Sequence, residues 1–233
     1  MGSITDWLAT DMSIVFTGKY WSIQRFVSGF SNNAFLITCA RTNNSVIIDT
    51  PANPVELIEA QKKTNPTFIL ITHGHRDHLE GFSDVNSDES QLVGIGQDDR
   101  SSLPNPDTFG IDVSTNQALN VGDISLHCVA TPGHTPGSTC YLLESSESKA
   151  AGEVSHVFTG DTLFPGGPGK SSSHAALNQI IDSLEQHILT LPDATVVLPG
   201  HGEFTIIGDS KKEYAAFSSR PLDPDLFGDV TWD

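Results

Sequence analysis

The sequence predicts a mixed α/β sandwich, and two observations support this fold class. Short runs rich in β-branched residues recur along the chain, as expected for strands. Two segments with helical periodicity interrupt these runs, and the strands outnumber the helices. A length of 233 residues is enough for one large domain with a sizeable core and is short for two domains.

Eight apolar runs are predicted to form strands because each is short and ends near Gly, Pro, Asn or Asp. In chain order they are MSIVFTG, NAFLITCA, SVIIDT, TFILITHG, DISLHCVATPG, TCYLLE, HVFTGDTL and TVVLPGHG.

Two segments are predicted to form helices. PVELIEAQKK presents an apolar side made by Val55, Leu57 and Ile58. HAALNQIIDSLEQHILTL places five apolar residues on one face, and Ser173 before it is a suitable N-cap. The five residues are Leu177, Ile180, Ile181, Leu184 and Ile188.

The last part of the chain, from about Glu213, is rich in Pro and Asp and is predicted to wrap over the domain. We therefore predict a single domain over residues 1–233, with residues 203–233 as a C-terminal tail packed on it.

The net charge of −17 disfavours nucleic acid and anionic membrane surfaces as partners, because phosphate binding depends on clustered Lys and Arg. The start of the chain lacks a basic segment followed by an apolar one, and no run is long enough to span a membrane. Cys39, Cys128 and Cys140 cannot all pair and show no CxxC spacing, so reduced thiols and a cytoplasmic location are expected. A small molecule is the expected partner, and the sequence indicates no oligomeric state.

The segment ILITHGHRDHLEG places four candidate metal ligands directly after an apolar run. In an extended segment His73 and His75 point the same way, whereas Asp77 and His78 are neighbours and do not share a face. All four side chains can bind metal but cannot easily converge on one ion. Two adjacent ions would resolve this, with the first two residues on one ion and the last two on the other.

Three further candidates follow apolar strands and stand beside Gly or Pro. They are His134 in VATPGHTPGS, Asp161 in VFTGDTLF and His201 in VVLPGHGE. Rigid strand ends with glycine-rich turns are suited to presenting a side chain to a site. Five His and two Asp supply three ligands for each ion and one shared carboxylate, which leaves open positions for water. His127, His156 and His187 are expected to be structural.

The motifs THGHRDH, GHTPGS, GDTLF and GHG resemble those of the metallo-β-lactamase superfamily, from about Asn32 to Gly202. Their order and spacing are most similar to the hydroxyacylglutathione hydrolase (glyoxalase II) branch. The resemblance implies an α+β fold, a four-layer αβ/βα sandwich with a dinuclear site at one edge. It assigns His73, His75 and His134 to the first metal, Asp77, His78 and His201 to the second, and Asp161 to a bridge between them.

Such a site predicts a dinuclear metal-dependent hydrolase, in which a metal-bridging hydroxide attacks the substrate carbonyl. Asp77 is the candidate catalytic residue, because one of its oxygens can face the hydroxide and handle a proton. The expected cofactors are two divalent ions. Zinc is the first expectation, and iron and manganese are alternatives because imidazole–carboxylate sites accept them as well.

The substrate is predicted to be a small thioester, ester or lactone. Lys170 and His174 are candidate substrate-binding residues, since they lie on the loop after Asp161. The GKSSSH segment lacks the aromatic residue expected in the glyoxalase II branch, and too few residues follow His201 for the helical domain of that branch.

Other functions are weaker alternatives. The main one is a mononuclear iron oxidoreductase of the persulfide dioxygenase type, which has the same fold and similar motifs. A β-lactamase is disfavoured by Asp161, and a nuclease is disfavoured by the net charge. A binding protein with a degenerate site is disfavoured because every expected ligand is present.

Overall fold

The computed structural model describes residues 13–220 and 223–232, which form two mixed β-sheets with helices on their outer faces. The N-terminal sheet has seven strands in sequence order. They are β1 (Ile14–Thr17), β2 (Trp21–Ser28), β3 (Asn32–Cys39), β4 (Asn44–Ile48), β5 (Asn65–Leu70), β6 (Leu92–Ile95) and β7 (Phe109–Asp112). Strands β1 to β4 pair antiparallel, and strands β4 to β7 pair parallel.

The second sheet and a small separate hairpin use the remaining strands. These are β8 (Ala118–Val121), β9 (Ile124–Ala130), β10 (Thr139–Glu144), β11 (His156–Gly160), β12 (Leu163–Phe164), β13 (Gly167–Pro168), β14 (Val196–Pro199) and β15 (Thr205–Ile206). The C-terminal sheet has the order β15-β14-β11-β10-β9-β8, and β12 pairs only with β13. The β11–β14 pair is parallel, and the other pairs are antiparallel.

Five α-helices connect or cover these strands. They are α1 (Val55–Gln61), α2 (Phe82–Val85), α3 (Ser146–Ala151), α4 (His174–Ser183) and α5 (Ile207–Ser218). A π-helical turn, Leu184–Ile188, extends α4, and a 3-10 helix, Arg76–His78, lies in the loop after β5. Of the described helices, none has the length and apolar character needed to cross a membrane.

Three hydrophobic clusters define the layers. The central cluster lies between the two sheets and includes Phe35 and Phe158, whose ring centroids are 5.0 Å apart. A second cluster packs α1 and α2 on the outer face of the N-terminal sheet. A third packs α4 and α5 on the outer face of the C-terminal sheet. The order helix, sheet, sheet, helix is the predicted four-layer α+β sandwich.

Strand β3 explains why several strands read as continuous apolar runs. Phe35 and Ile37 point into the central cluster, while Ala34 and Leu36 point into the outer cluster under α1. Because both faces of this strand are covered, alternation between apolar and polar residues is lost.

Each of the eight predicted runs contains a strand, and both predicted helices are present as α1 and α4. The Ser173 hydroxyl accepts a hydrogen bond from the amide of Ala176, which confirms the predicted N-cap. Strands β2, β6, β7, β8, β12, β13 and β15 were not predicted, and neither were helices α2, α3 and α5. The division of the chain into one domain with a tail stays a prediction.

Candidate metal centre

The seven candidate ligands come from four loops that leave strands. The loop after β5 carries four of them, and the loops after β9, β11 and β14 each carry one. The structure brings these loops together, so that the side chains form three overlapping groups with ligand atoms within 4.8 Å of one another. The groups are His73, His75 and His134; His73, His78 and Asp161; and Asp77, His78 and His201.

Three imidazoles of the first group converge on a small volume. Nδ1 of His75 lies 3.1 Å from Nε2 of His73 and 2.9 Å from Nε2 of His134. Nitrogen ligands at zinc–nitrogen distances of about 2.0–2.1 Å stand about 3.3 Å apart in a tetrahedral site. The three nitrogens are therefore spaced almost as three ligands of one ion would be.

The second group combines two imidazoles with a carboxylate. Nε2 of His78 lies 3.2 Å from Nε2 of His201. Oδ2 of Asp77 lies 3.3 Å from Nε2 of His201 and 3.8 Å from Nε2 of His78. This group could also hold a divalent ion.

Asp161 lies between the two groups. Its Oδ2 is 3.5 Å from Nε2 of His134 and 3.6 Å from Nε2 of His201, and its Oδ1 is 3.5 Å from Nε2 of His78. Within the described part of the chain, Oδ1 is buried and has no hydrogen-bond partner. A buried carboxylate oxygen without a donor is costly unless a cation faces it. The residues present therefore fit a pair of divalent ions.

Asp49 orients two of the imidazoles. The buried ring of His78 donates from Nδ1 to Oδ2 of Asp49 over 2.9 Å. The Thr72 hydroxyl donates to the same oxygen over 2.7 Å, so it can accept from Nδ1 of His73 at 3.1 Å. With Nδ1 bonded in this way, Nε2 of each ring faces the site and is the nitrogen available to a metal ion.

Backbone carbonyls orient two further imidazoles. Nδ1 of His134 donates to the carbonyl oxygen of Lys170 over 2.8 Å. Nδ1 of His201 donates to the carbonyl oxygen of Phe30 over 3.2 Å. These bonds again leave Nε2 of each ring directed at the site.

Asn32 holds the carboxylate of Asp77. The buried Asn32 amide donates to Oδ2 of Asp77 over 2.8 Å, and its own oxygen accepts from the amide of Phe30 at 3.2 Å. Partial burial acts to raise the pKa of Asp77, but the Asn32 hydrogen bond and nearby His78 outweigh it and lower the pKa. The carboxylate is therefore ionised and fixed in position.

Burial and neighbouring charges lower the pKa of some imidazoles of the site and raise the pKa of another. Burial, reinforced by the adjacent imidazoles, holds the pKa of His73 well below its usual range. Burial also lowers the pKa of His134, although Asp161 opposes it. Both rings are thus neutral, as metal ligands must be.

His78 has the opposite tendency. Burial acts to lower its pKa, but the carboxylates of Asp49, Asp161 and Asp77 raise the pKa to about 9. The ring lies in a strongly negative potential, which a cation at Nε2 would neutralise.

Asp99 connects the first ligand loop to the loop of His134. Its Oδ2 accepts from the amide of Gly74 at 2.7 Å and from the hydroxyl of Thr135 at 2.5 Å, and its Oδ1 accepts from the amide of Gly137 at 3.0 Å. This buried carboxylate therefore holds the two loops at a fixed separation.

The two candidate substrate-binding residues lie beside the C-terminal segment. Nζ of Lys170 is 3.6 Å from Oδ2 of Asp229, and both side chains are largely exposed. His174 donates from Nδ1 to the carbonyl oxygen of Leu226 over 3.0 Å. No contact of either side chain with the seven candidate ligands is seen within the described residues.

Sequence reasoning missed Asn32, Asp49 and Asp99 as supporting residues. Asp49 could have been identified from the sequence, because it follows the apolar run of β4 just as Asp161 follows β11. Asn32 and Asp99 could not have been identified in this way, since their roles depend on contacts with distant loops.

The remaining predicted structural histidines lie elsewhere. His127 is half exposed on β9 and is 3.2 Å from Oε1 of Glu144. The ring of His156 packs against Phe16, with centroids 4.4 Å apart.

The chain is similar to known proteins over most of its length. Residues 27–201 match the family model described as the metallo-beta-lactamase superfamily. The chain is 34% identical over 195 residues to the probable hydroxyacylglutathione hydrolase glo2 of Schizosaccharomyces pombe, which covers 81% of this chain and 68% of that protein. It is 29% identical over 213 residues to the hydroxyacylglutathione hydrolase GloC of Haemophilus influenzae, which covers 83% of this chain and 96% of that protein.

A solved metallo-beta-lactamase from Staphylococcus aureus has the same fold. It superposes with a TM-score of 0.71 at 27% identity, and the match covers 84% of this chain and 62% of that one. This chain therefore spans less than two thirds of that structure.

Proposed function

Because this chain belongs to the metallo-β-lactamase superfamily, we propose that it is a dinuclear metal-dependent hydrolase of small thioesters, esters or lactones. His73, His75 and His134 would hold one ion, and Asp161 would bridge to the second. The second ion would be held by Asp77, His78 and His201. Zinc is the first expectation for both positions, with iron or manganese as alternatives.

The position of Asp161 carries this proposal. Its Oδ2 lies near imidazoles of both groups, and its buried Oδ1 has no hydrogen-bond donor among the described residues. A carboxylate in an ordinary polar cluster would have donors on both oxygens. An arrangement with a cation on each side accounts for both features.

The bound ions would polarise the substrate carbonyl and lower the pKa of a water, as in other two-metal hydrolases. Residues of the chain would handle the proton and keep the candidate ligands in position. Asp77, held by the Asn32 amide, would accept and return a proton at the same position in each turnover. Asp49 and the carbonyl oxygens of Lys170 and Phe30 would keep the imidazoles in the ligand tautomer.

The surroundings of the site support a substrate with an apolar part. Phe30 is 91% exposed, although its carbonyl oxygen is hydrogen-bonded to His201. An exposed apolar side chain whose backbone contacts a polar site is a suitable contact for an apolar part of a ligand.

A glutathione thioester is the competing substrate. The name of the Haemophilus influenzae relative, of which this chain covers 96%, shows that a protein of similar extent can carry that activity name. The argument against glutathione is local, because the ammonium group of Lys170 is already paired with the carboxylate of Asp229.

Metal analysis of protein purified without chelator tests the proposal, followed by a screen of thioesters, esters, lactones and phosphodiesters. We expect close to two ions per chain and hydrolysis that chelator abolishes and added zinc restores. Full activity with one ion per chain, and iron as that ion, would instead favour the dioxygenase-type alternative.

A further inference from the structure

Residues 226–232, here called the C-terminal strap, run along residues 165–171, here called the glycine loop. The amide of Ser171 donates to the carbonyl oxygen of Gly228 over 3.0 Å, and the amide of Gly228 donates back over 3.1 Å. The Gly228 amide also donates to the Ser171 hydroxyl at 3.0 Å. At the other end, the amide of Trp232 donates to the carbonyl oxygen of Gly166 over 2.8 Å. The strap is thus bonded to both ends of the loop.

The strap is anchored in the hydrophobic layer under α5. Trp232 is 2% exposed and Val230 is 7% exposed. The Trp232 ring packs against Tyr214 and Phe217, with centroids 5.1 Å and 6.3 Å away. This anchor fixes the strap independently of the metal ligands.

The glycine loop packs against two of the candidate ligands. The carbonyl oxygen of Lys170 accepts the hydrogen bond from His134 Nδ1 at 2.8 Å. A Cβ at Gly169 would collide with the carbonyl oxygen of Asp161 and would lie 3.3 Å from His134 Nδ1, so the loop backbone is packed directly on both residues. A displacement of this loop would therefore rotate the His134 ring.

We propose that the C-terminal strap is a positioning element for the first metal group, acting through the glycine loop on His134. This inference rests on the proposed function only in taking His134 as a metal ligand. Ser171, Gly228 and Trp232 are its positioning residues. None of them belongs to the three candidate ligand groups, and they set the direction of the His134 imidazole.

The three residues that belong to the second group alone are held by segments other than the strap. His78 is held by Asp49, and His201 is held by the Phe30 carbonyl, both from the N-terminal sheet and its hairpin. Asp77 is held by Asn32, at the start of β3. A positioning role therefore predicts unequal effects on the two ions, whereas a merely structural role would weaken both equally.

The experiment uses Gly228→Pro, which removes the amide that bonds Ser171, and Trp232→Ala, which removes the anchor. Each is combined with His201→Ala, which disables the second group, or with His134→Ala, which disables the first. Zinc affinity of the full-length variants is measured by competition with a chromophoric chelator. Leu184→Ala is the matched control, because it removes buried apolar volume from the same cluster without touching the strap's hydrogen bonds.

In the His201→Ala background, both strap variants should weaken zinc binding by about 10–100-fold, the range typical for residues that orient a ligand. In the His134→Ala background they should leave the affinity within about twofold, and Leu184→Ala should do so in both. Equal weakening in both backgrounds, or none in the first, would overturn the proposal. Failure of wild-type protein to hydrolyse any substrate while it still binds two zinc ions would count against the proposed function and leave this result intact.

Discussion

Asp49 and His78 form a fully buried carboxylate–imidazole pair, in which Nδ1 of His78 donates to Oδ2 of Asp49 over 2.9 Å. Asp49 also accepts from the amide and the hydroxyl of Thr72, so three donors fix its position. Its φ of 59° lies in the left-handed region, where Asn and Asp are tolerated better than other side chains. Asp49 thus fixes the orientation of the His78 ring.

Asp49→Asn should weaken metal binding while keeping the fold. Asn fits the left-handed backbone and can still accept from His78, but it removes the negative charge that makes the imidazole a better ligand. We expect zinc affinity to fall about 10–100-fold, with a small change in the free energy of unfolding of the metal-free protein. Chelator competition and urea unfolding measure the two quantities.

Asp123→Asn is the control for this change, because it removes a carboxylate that pairs with Arg41 on the surface, outside the metal groups. It should leave zinc affinity unchanged. A similar loss in both variants would mean that overall charge, and not the orientation of His78, determines the affinity.

Asp161→Ala should reduce turnover by several orders of magnitude, about the effect of losing one of the principal groups of a two-metal site. The side chain lies within 3.6 Å of ring nitrogens in both groups, so its removal would take away the carboxylate between the two proposed metal positions. Metal content and kcat, measured on the same preparation, test this expectation.

His127→Asn and His187→Asn are the comparison variants, since neither residue belongs to the three candidate ligand groups. Both should retain metal content and nearly full turnover. Loss of metal from His127→Asn would show that the ligand assignment is wrong.

The strands that the sequence predicted well are those whose apolar character is continuous. β3 and β4 are covered on both faces, as is the end of β5, so most of their residues are buried and apolar. In β2, Trp21 and Ile23 are buried while Ser22 and Gln24 are only partly covered, and this polar content hid the strand. Strands β6 to β8 have four residues each, and each contains Gly, Asn or Asp, which are turn signals and hid the strand.

The candidate ligands could be predicted because each follows a strand and belongs to a residue type that binds metal. The residues that orient them could not, because their signal lies in contacts between distant segments. The carbonyl of Lys170 holds His134 whatever its side chain is, and the burial of Trp232 depends on α5. Neither contact can be predicted from the type of amino acid at these positions.

His156 is a buried histidine outside the site with an expected effect on stability. It is 3% exposed, packs against Phe16 and Trp21, and its Nδ1 has no hydrogen-bond partner among the described residues. Burial lowers its pKa to about 4, and a hydrogen bond with the backbone of Val154 opposes this only in part. The native state therefore keeps the ring neutral.

Between the ordinary pKa of 6.5 and about 4, the unfolded chain binds a proton at His156 that the native state does not. The contribution of this residue is complete above pH 6.5 and is lost as the pH falls toward 4, up to about 3 kcal/mol. The difference in unfolding free energy between wild type and His156→Leu should therefore fall from about pH 7 to about pH 5. Urea unfolding of metal-free protein measures it, and a difference that is constant with pH would contradict the shift.

The last prediction concerns the choice between an apolar and an anionic substrate. Phe30, 91% exposed, and Lys170, 68% exposed in its side chain, are attached to the site through the carbonyl oxygens that hold His201 and His134. Each side chain can be changed without altering the carbonyl that orients the ligand. The two residues therefore form a matched pair of probes.

Phe30→Ser should lower kcat/KM for esters and thioesters with apolar acyl groups by about tenfold, since partial burial of a phenyl ring contributes about 1.4 kcal/mol. Lys170→Ala should raise KM for substrates that carry a carboxylate and spare neutral ones, because an exposed ammonium acts mainly by attraction of charge. We expect wild-type protein to hydrolyse glutathione thioesters with a high KM and small neutral substrates more efficiently. Steady-state kinetics on lactoylglutathione, a neutral thioester and a lactone measure all three expectations. Efficient turnover of lactoylglutathione at low micromolar KM, lost in Lys170→Ala and retained in Phe30→Ser, would instead identify glutathione thioesters as the substrates.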